Sequence, residues 1–276
     1  MRGTLGKSLP HIVLMIYVVI ILFPFVFVIF SSLKESNVEI SQAPFALPKS
    51  LYFENYSKAW TQAKIDTYFL NSAYIGLSSA VVGVLIAAGT SFALTRMRFR
   101  LSSKLIYQAI LFSMLIPANG LFIAQYFLVS KLNILNTHWA LFWPYTAGAL
   151  PFSVLLISAF MKSIPNELEE AAIIDGLSAA GLFARIILPL TLPALVTVFI
   201  INFLGNWNEY LLANFFISKD ALRTLPTGMV GFRDAYQTNY ALISTGIVFS
   251  VLPVLVLYAF LQKQIIEGIT AGSVKG

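Results

Sequence analysis

The sequence contains no cysteine, which excludes disulfides and thiolate metal sites. Its two histidines, His11 and His138, lie far apart and give no metal-ligand spacing. Charge is equally scarce. Charged residues make up 11% of the 276, against about a quarter in an ordinary soluble domain. With 58% hydrophobic residues, the class is a polytopic membrane protein. There is no phosphate loop: around Gly6-Lys7-Ser8 the motif needs a glycine where Met1 stands, and a preceding strand. No Ser-His-Asp set or zinc spacing is visible, so the sequence displays no catalytic machinery. Internal repeats and midplane charges, the expected marks of a secondary transporter, are missing as well. The net charge of +6 reads as a topology signal rather than a nucleic-acid footprint.

What is present is a series of apolar blocks. Residues 12–30 are uncharged, close to the roughly twenty residues that a spanning helix needs. The run stays bulky to its end, unlike a signal peptide, and is expected to be a retained first helix. The second block, 69–95, is rich in Gly, Ala and Ser, which lets helices approach closely in lipid; a place inside a bundle is expected. The third, 105–130, is interrupted by Pro117-Ala118-Asn119-Gly120, and broken backbone in a membrane requires protein or a cavity around it. Trp139–Met161, 190–218 and 241–262 complete six expected spans. Between the first two lies a polar segment, 31–68, with an amphipathic piece near 53–60 that is suited to the membrane surface. A second polar loop, 219–240, precedes the last span. Six spans put both termini on one side. The dense basic run Arg96, Arg98, Arg100 and Lys104 marks that side as cytoplasmic, because orientation follows basic density beside the spans.

Acidic residues concentrate in one place. Glu167, Glu169, Glu170 and Asp175 are four of the chain's twelve, within ten positions. Pro165 is tolerated only near a helix start. Asn166 with Glu169 matches a capping box, with Asn in place of Ser or Thr, and the glutamates suit the positive end of the helix dipole. Gly176 fits the left-handed residue that closes a helix. Ser178 is expected to cap a second helix, which Pro189 limits. A membrane protein that concentrates carboxylates in one loop is expected to present that loop to a partner.

Glu170-Ala171-Ala172, three residues, Gly176, nine residues, then Ile186-x-Leu188-Pro189 resembles the EAA loop of ABC importer permeases. Asp175, Phe183 and Pro193 resemble the carbohydrate-uptake branch of that family. Gly205-Asn206-Trp207-Asn208-Glu209-Tyr210 resembles a recurring stretch of sugar permeases, and residues 262–276 resemble their terminal tail, the maltose type in particular.

The resemblance implies an all-α membrane protein with six transmembrane helices, the type I ABC importer permease fold, and a cytoplasmic coupling helix. It implies an N-terminal part over 1–66 with the first helix at about 11–32, a permease domain over 67–262 with the coupling loop at 162–189, and a cytoplasmic tail over 263–276. In such a machine Glu170, Ala171, Ala172, Asp175, Gly176, Leu188 and Pro189 couple to the ATPase, with Glu170 pairing with a basic residue there. Asn206, Asn208 and Glu209 belong to the substrate pathway, although Glu209 also fits an interfacial, hydrated carboxylate. Pro226, Gly228 and Gly231 sit in the loop facing the binding protein. The implied partners are a second homologous permease, two cytoplasmic ABC ATPases, an extracytoplasmic solute-binding protein and a sugar, in a bacterial or archaeal cytoplasmic membrane. ATP and Mg belong to the ATPases; no cofactor is expected in this chain. An amino acid, polyamine or phosphate importer is the alternative with the same machinery.

Overall fold

A computed structural model describes residues 2–97, 102–235 and 239–273, with side chains described over 10–97, 102–117, 120–230 and 239–263. Arg98 and Arg100 of the basic run, and residues 274–276 of the tail, lie outside the described residues. Every element among the described residues is helical: α1 Arg2–Ser32, α2 Asn37–Gln42, α3 Glu54–Thr61, α4 Ile65–Arg96, α5 Ser102–Ser113, α6 Phe122–Lys131, α7 Trp139–Met161, α8 Glu167–Ile174, α9 Ala179–Leu182, α10 Leu188–Leu190, α11 Leu192–Trp207, α12 Leu211–Phe216, α13 Leu225–Ala235 and α14 Tyr240–Ser273, with short 3-10 and π turns between some of them. The chain divides into two compact units, 1–66 with 228–253, and 67–227 with 254–276.

Among the described residues four helices are long and apolar enough to cross a membrane: Pro10–Ser32, Ile65–Arg96, Trp139–Met161 and Tyr240–Lys263. A fifth crossing is available if Ala179–Leu190 and Leu192–Trp207, bent by 74°, are taken together. Two of the expected blocks are interrupted. The third is two helices, α5 and α6, separated around Pro117, which lacks an N–H and disfavours helix at the residue before it. The interruption borders a cavity of about 620 Å³ lined by Pro117, Gln125, Trp143, Pro144 and Gly148 among others. The fifth block stops at Trp207, and the chain restarts as α12 after Asn208–Tyr210.

Both polar segments also hold more helix than expected. The piece read as amphipathic is α3, and the loop 219–240 contains α13. Pro226 occupies the first turn of α13, where a missing N–H costs nothing, and Gly228 and Gly231 lie within it. α14 runs on into the expected tail as far as Ser273.

The first unit is held by polar groups closing on backbone. Lys34, fully buried, donates to the carbonyls of Ala43 (2.7 Å) and Pro44 (3.1 Å). Asn55 Nδ2 donates to those of Ser32 and Lys34, both at 2.9 Å. The aromatic side of α3 packs Tyr56 and Trp60 on Phe249. By contrast, the apolar side chains of α1 from Ile12 to Phe25 are largely exposed, as suits a helix facing lipid.

In the second unit α4, α7 and α11 form the core. Small residues along α4 permit it: Ser79, Ala80, Ala87, Ala88 and Ser91 are buried. A Cβ on Gly76 would stand 3.3 Å from the Phe203 ring, so α4 and α11 approach closely there. Polar side chains then stitch the helices. Asn206 Nδ2 donates to Ser79 Oγ (2.9 Å), Asn202 Nδ2 to Ser153 Oγ (3.1 Å) and Ser91 Oγ to the Val154 carbonyl (3.3 Å). Bonds of this kind contribute about 0.6–2 kcal/mol each between membrane helices.

At one end of this unit the turn before α7 is joined to the end of α12 through Asn136. Its φ of +59° is a left-handed conformation that Asn tolerates. Its Oδ1 accepts from Ser218 N (2.6 Å), Ser218 Oγ (2.8 Å) and Lys219 N (3.1 Å), while its own N–H donates to the Phe216 carbonyl (3.0 Å). Asn136→Gly keeps the backbone conformation but loses the acceptor; Asn136→Ala also strains the backbone, for a combined cost on the order of 2 kcal/mol. Thermal unfolding in detergent should rank wild type above Asn136→Gly and Asn136→Gly above Asn136→Ala.

Candidate functional site

The acidic loop is built at the opposite end of the second unit, where α4 and α7 finish. α8 begins after Pro165 and closes with Gly176 at φ +81°. The Gly176 N–H reaches the Ile173 carbonyl and the Leu177 N–H the Ala172 carbonyl, both at 3.0 Å. That is the paired closure expected of a left-handed C-terminal glycine. A Cβ there would meet nothing within 4 Å, so the backbone conformation, not space, demands the glycine.

Ser178 caps the next turn as expected, accepting from Gly181 N at 3.2 Å. The chain then passes from α9 through a π-helical turn, Phe183–Ile187, into α10. It continues one residue beyond Pro189 and bends at Thr191. Pro189 and Pro193 each remove a helical N–H around that bend. Leu182 and Ile187 are buried with Ala172, Val154, Ile157, Met161, Ala87 and Phe92 in one apolar cluster, against which Leu188 packs. The Phe183 and Phe92 rings lie 5.0 Å apart.

The expected capping box is absent. Asn166 has helical dihedrals (φ −68°, ψ −24°) and its side chain caps nothing. Both box residues turn instead to Arg96, the last residue of α4. Arg96 Nη1 donates to Asn166 Oδ1 (2.6 Å) and stands 2.8 Å from Glu169 Oε1. Nη2 donates to the carbonyls of Met161 and Ile164 (2.9 Å for Ile164). An ion pair with a guanidinium outcompetes a neutral side-chain cap. The pair is well shielded, with the Arg96 side chain 8% and the Glu169 side chain 14% exposed. Nearby, Lys162 Nζ lies over the Tyr107 ring, 4.9 Å from its centre.

Sequence reasoning read Arg96 only as one of a basic cluster. The signal that marks it out is its position at the boundary of an apolar helix, but its partners stand some seventy positions on.

Two adjacent glutamates therefore differ. Glu169 faces inward. Glu170 is exposed and has no ion-pair or hydrogen-bond partner among the described residues. Glu170, Ala171 and Asp175 share the exposed side of α8 with Ile173 (61% exposed) and Ile174 (84%). Ala172, by contrast, points into the core.

The other sequence-predicted group, Asn206, Asn208 and Glu209, lies at the far end of α11. The Glu209 carboxylate accepts from Tyr145 Oη (2.6 Å), Leu212 N (2.7 Å) and Ala213 N (3.1 Å), so it caps α12 and ties it to α7. Asn206 is engaged with Ser79, and the exposed Asn208 donates to the Leu204 carbonyl (2.9 Å). Tyr145 was not anticipated, because nothing local in the sequence links it to Glu209. Pro226, Gly228 and Gly231 follow a segment fixed to α4: Tyr68 Oη donates to Asp220 (2.8 Å), Asn71 Nδ2 to the Arg223 carbonyl (2.9 Å), and Leu225 N to Ser72 Oγ (2.7 Å).

Residues 80–270 match the family described as binding-protein-dependent transport system inner membrane component. The chain is 36% identical to the probable ABC transporter permease protein YurM of Bacillus subtilis, over 99% of this chain and 90% of that one. It is 33% identical to the diacetylchitobiose uptake system permease NgcG of Streptomyces coelicolor (96% and 88%). It is 32% identical to the melibiose/raffinose/stachyose import permease MelC of Bacillus subtilis (100% of both). Its fold is that of a chain in the crystal structure of a bacterial ABC transporter importing the acidic polysaccharide alginate, with a TM-score of 0.83 over 95% of this chain and 97% of that one at 21% identity. The chain belongs to the binding-protein-dependent transport system inner membrane component family, the permeases of ABC importers.

Proposed function

We propose that this chain is one permease subunit of an ATP-driven sugar or oligosaccharide importer, working with a second, homologous permease, two cytoplasmic ATPases and an extracytoplasmic binding protein. ATP and Mg act on the ATPases, and this chain carries half of the translocation pathway. The relatives named for diacetylchitobiose and for melibiose, raffinose and stachyose support a sugar cargo. The observation that carries the coupling role is the outward face of α8, where Glu170 and Asp175 stand beside exposed Ile173 and Ile174. Apolar area fringed by unpaired carboxylates, on a helix held firmly from behind, suits docking into a partner cleft with a basic rim.

Six spans follow if α5 and α6 act together. At about 1.5 Å per residue, their 12 and 10 residues reach about 18 and 15 Å; only their sum matches the roughly 30 Å apolar thickness of a bilayer. The bent pair ending in α11 supplies another. With α1, α4, α7 and α14, both termini and the 162–189 loop then face the cytoplasm of a bacterial cell. The loop containing Pro226, Gly228 and Gly231 faces the binding protein, and the segment around Asn206, Asn208 and Glu209 lies toward the outer mouth of the pathway.

Removing one partner of a buried ion pair costs about 3–5 kcal/mol, enough to detach the docked helix. Glu170→Lys should therefore leave membrane insertion intact but abolish sugar uptake and the rise in ATPase rate caused by loaded binding protein; full uptake by the variant would defeat the docking role. Without natural cysteines, orientation is directly measurable. A lone cysteine at Ile174 should react with an impermeant maleimide only from the cytoplasmic side, and one at Lys219 only from outside. An uptake panel of disaccharides, amino acids, polyamines and phosphate decides the solute class, with the sugars expected to compete.

A further inference from the structure

Arg96 satisfies three separate pieces of chain at once. It is the last residue of α4; through Nη2 it donates to the carbonyl of Met161, the end of α7, and to that of Ile164 beyond it; through Nη1 it donates to Asn166 Oδ1 and pairs with Glu169 at the start of α8. A guanidinium is planar and presents its donors as a rigid fork. Bonding to three acceptors while pairing with the Glu169 carboxylate therefore fixes the angles between these segments as well as their distances. The side chain is 8% exposed, so water competes little for these bonds. Behind the fork, Ala172 of α8 sits in the same apolar cluster as Met161 and Ile164.

We propose that Arg96 is the positioning residue that makes α8 one rigid body with the ends of α4 and α7, so that a push on α8 is delivered to those two helices rather than absorbed by the loop. This rests on the reading of α8 as the coupling helix. Arg96 touches neither nucleotide nor solute. It acts through Glu169 and Asn166, while the adjacent Glu170 meets the ATPase. The two neighbouring carboxylates have distinct tasks: loss of Glu170 should release the ATPase, whereas loss of the Arg96–Glu169 pair should leave the ATPase bound and the machine slipping.

The test uses the whole complex in lipid vesicles, with Arg96→Gln, Arg96→Lys, Glu169→Gln and Glu170→Lys compared per assembled complex. Two quantities are read: sugar moved per ATP hydrolysed, and the distance between spin labels on cysteines placed at Leu85 of α4 and Leu168 of α8, outside the docking face. The wild-type background should give a single narrow distance, the same with and without nucleotide. Arg96→Gln and Glu169→Gln should broaden it and lower sugar per ATP about fivefold or more, with the ATPases still co-purifying. Arg96→Lys, which keeps the charge but not the fork, should fall between. A merely structural role would reduce the yield of complex and leave sugar per ATP unchanged in what survives. A distance as narrow in Arg96→Gln as in wild type, or an unchanged ratio, overturns the proposal. If Glu170→Lys retains its ATPases and full uptake while the Arg96 results hold, the docking role of α8 fails but the clamp stands.

Discussion

In apolar surroundings, a polar group without a partner costs several kcal/mol, and most of this structure follows from meeting that constraint. Several polar side chains inside or beside the hydrophobic blocks bridge two elements. Asn202 and Asn206 join α11 to α7 and α4. Glu209 receives three donors and ties α12 to α7. Lys34 donates to two carbonyls in the first unit, and Arg96 donates to three acceptors and pairs with Glu169 at the end of α4. The non-directional packing of Leu, Ile and Phe permits many arrangements; these few directional bonds select one.

The constraint also separates what is legible in the sequence from what is not. Apolar length and a small-residue face are local properties, so α1, α4, α7 and α14 were readable from runs of side chains, as was the burial of α4. Gly176 and Ser178 were readable because closing and capping a helix involve residues within five positions. The interrupted blocks were only half legible. Pro117 signals a break in any apolar run, but the sequence does not say whether the helix kinks or stops. The stop before α12 has no Pro at all; Glu209 caps the N–H groups of Leu212 and Ala213, three and four residues on, a local signal, whereas its bond from Tyr145 comes only from the fold.

The failed capping box shows the limit most clearly. Asn166 and Glu169 have the spacing, and an isolated peptide of this sequence would use it. A guanidinium some seventy residues away in sequence offers each a stronger bond, and tertiary context wins over local preference. The same competition reassigns Arg96. A basic residue just past an apolar helix is sufficiently explained by membrane orientation, and no local pattern distinguishes one that orients from one that also binds.

Helical geometry then explains how a single short helix can be held from behind and still expose a face. Residues three apart share a face and successive residues are turned by about 100°, so Glu169 and Ala172 point back into the protein while Glu170 and Ile173 point away. Rigidity behind and exposure in front come from the same eight residues. The Glu-Ala-Ala pattern is thus a matter of phase: the first alanine leaves the outer face shallow, the second lets the inner face close on the core, and the glutamate before them is held outward because its neighbour is held in. Shifting the helix by one residue would bury Glu170 and expose Glu169, which is why the exit glycine at Gly176 and the clamp at Arg96, one at each end, together set the register on which a partner would depend.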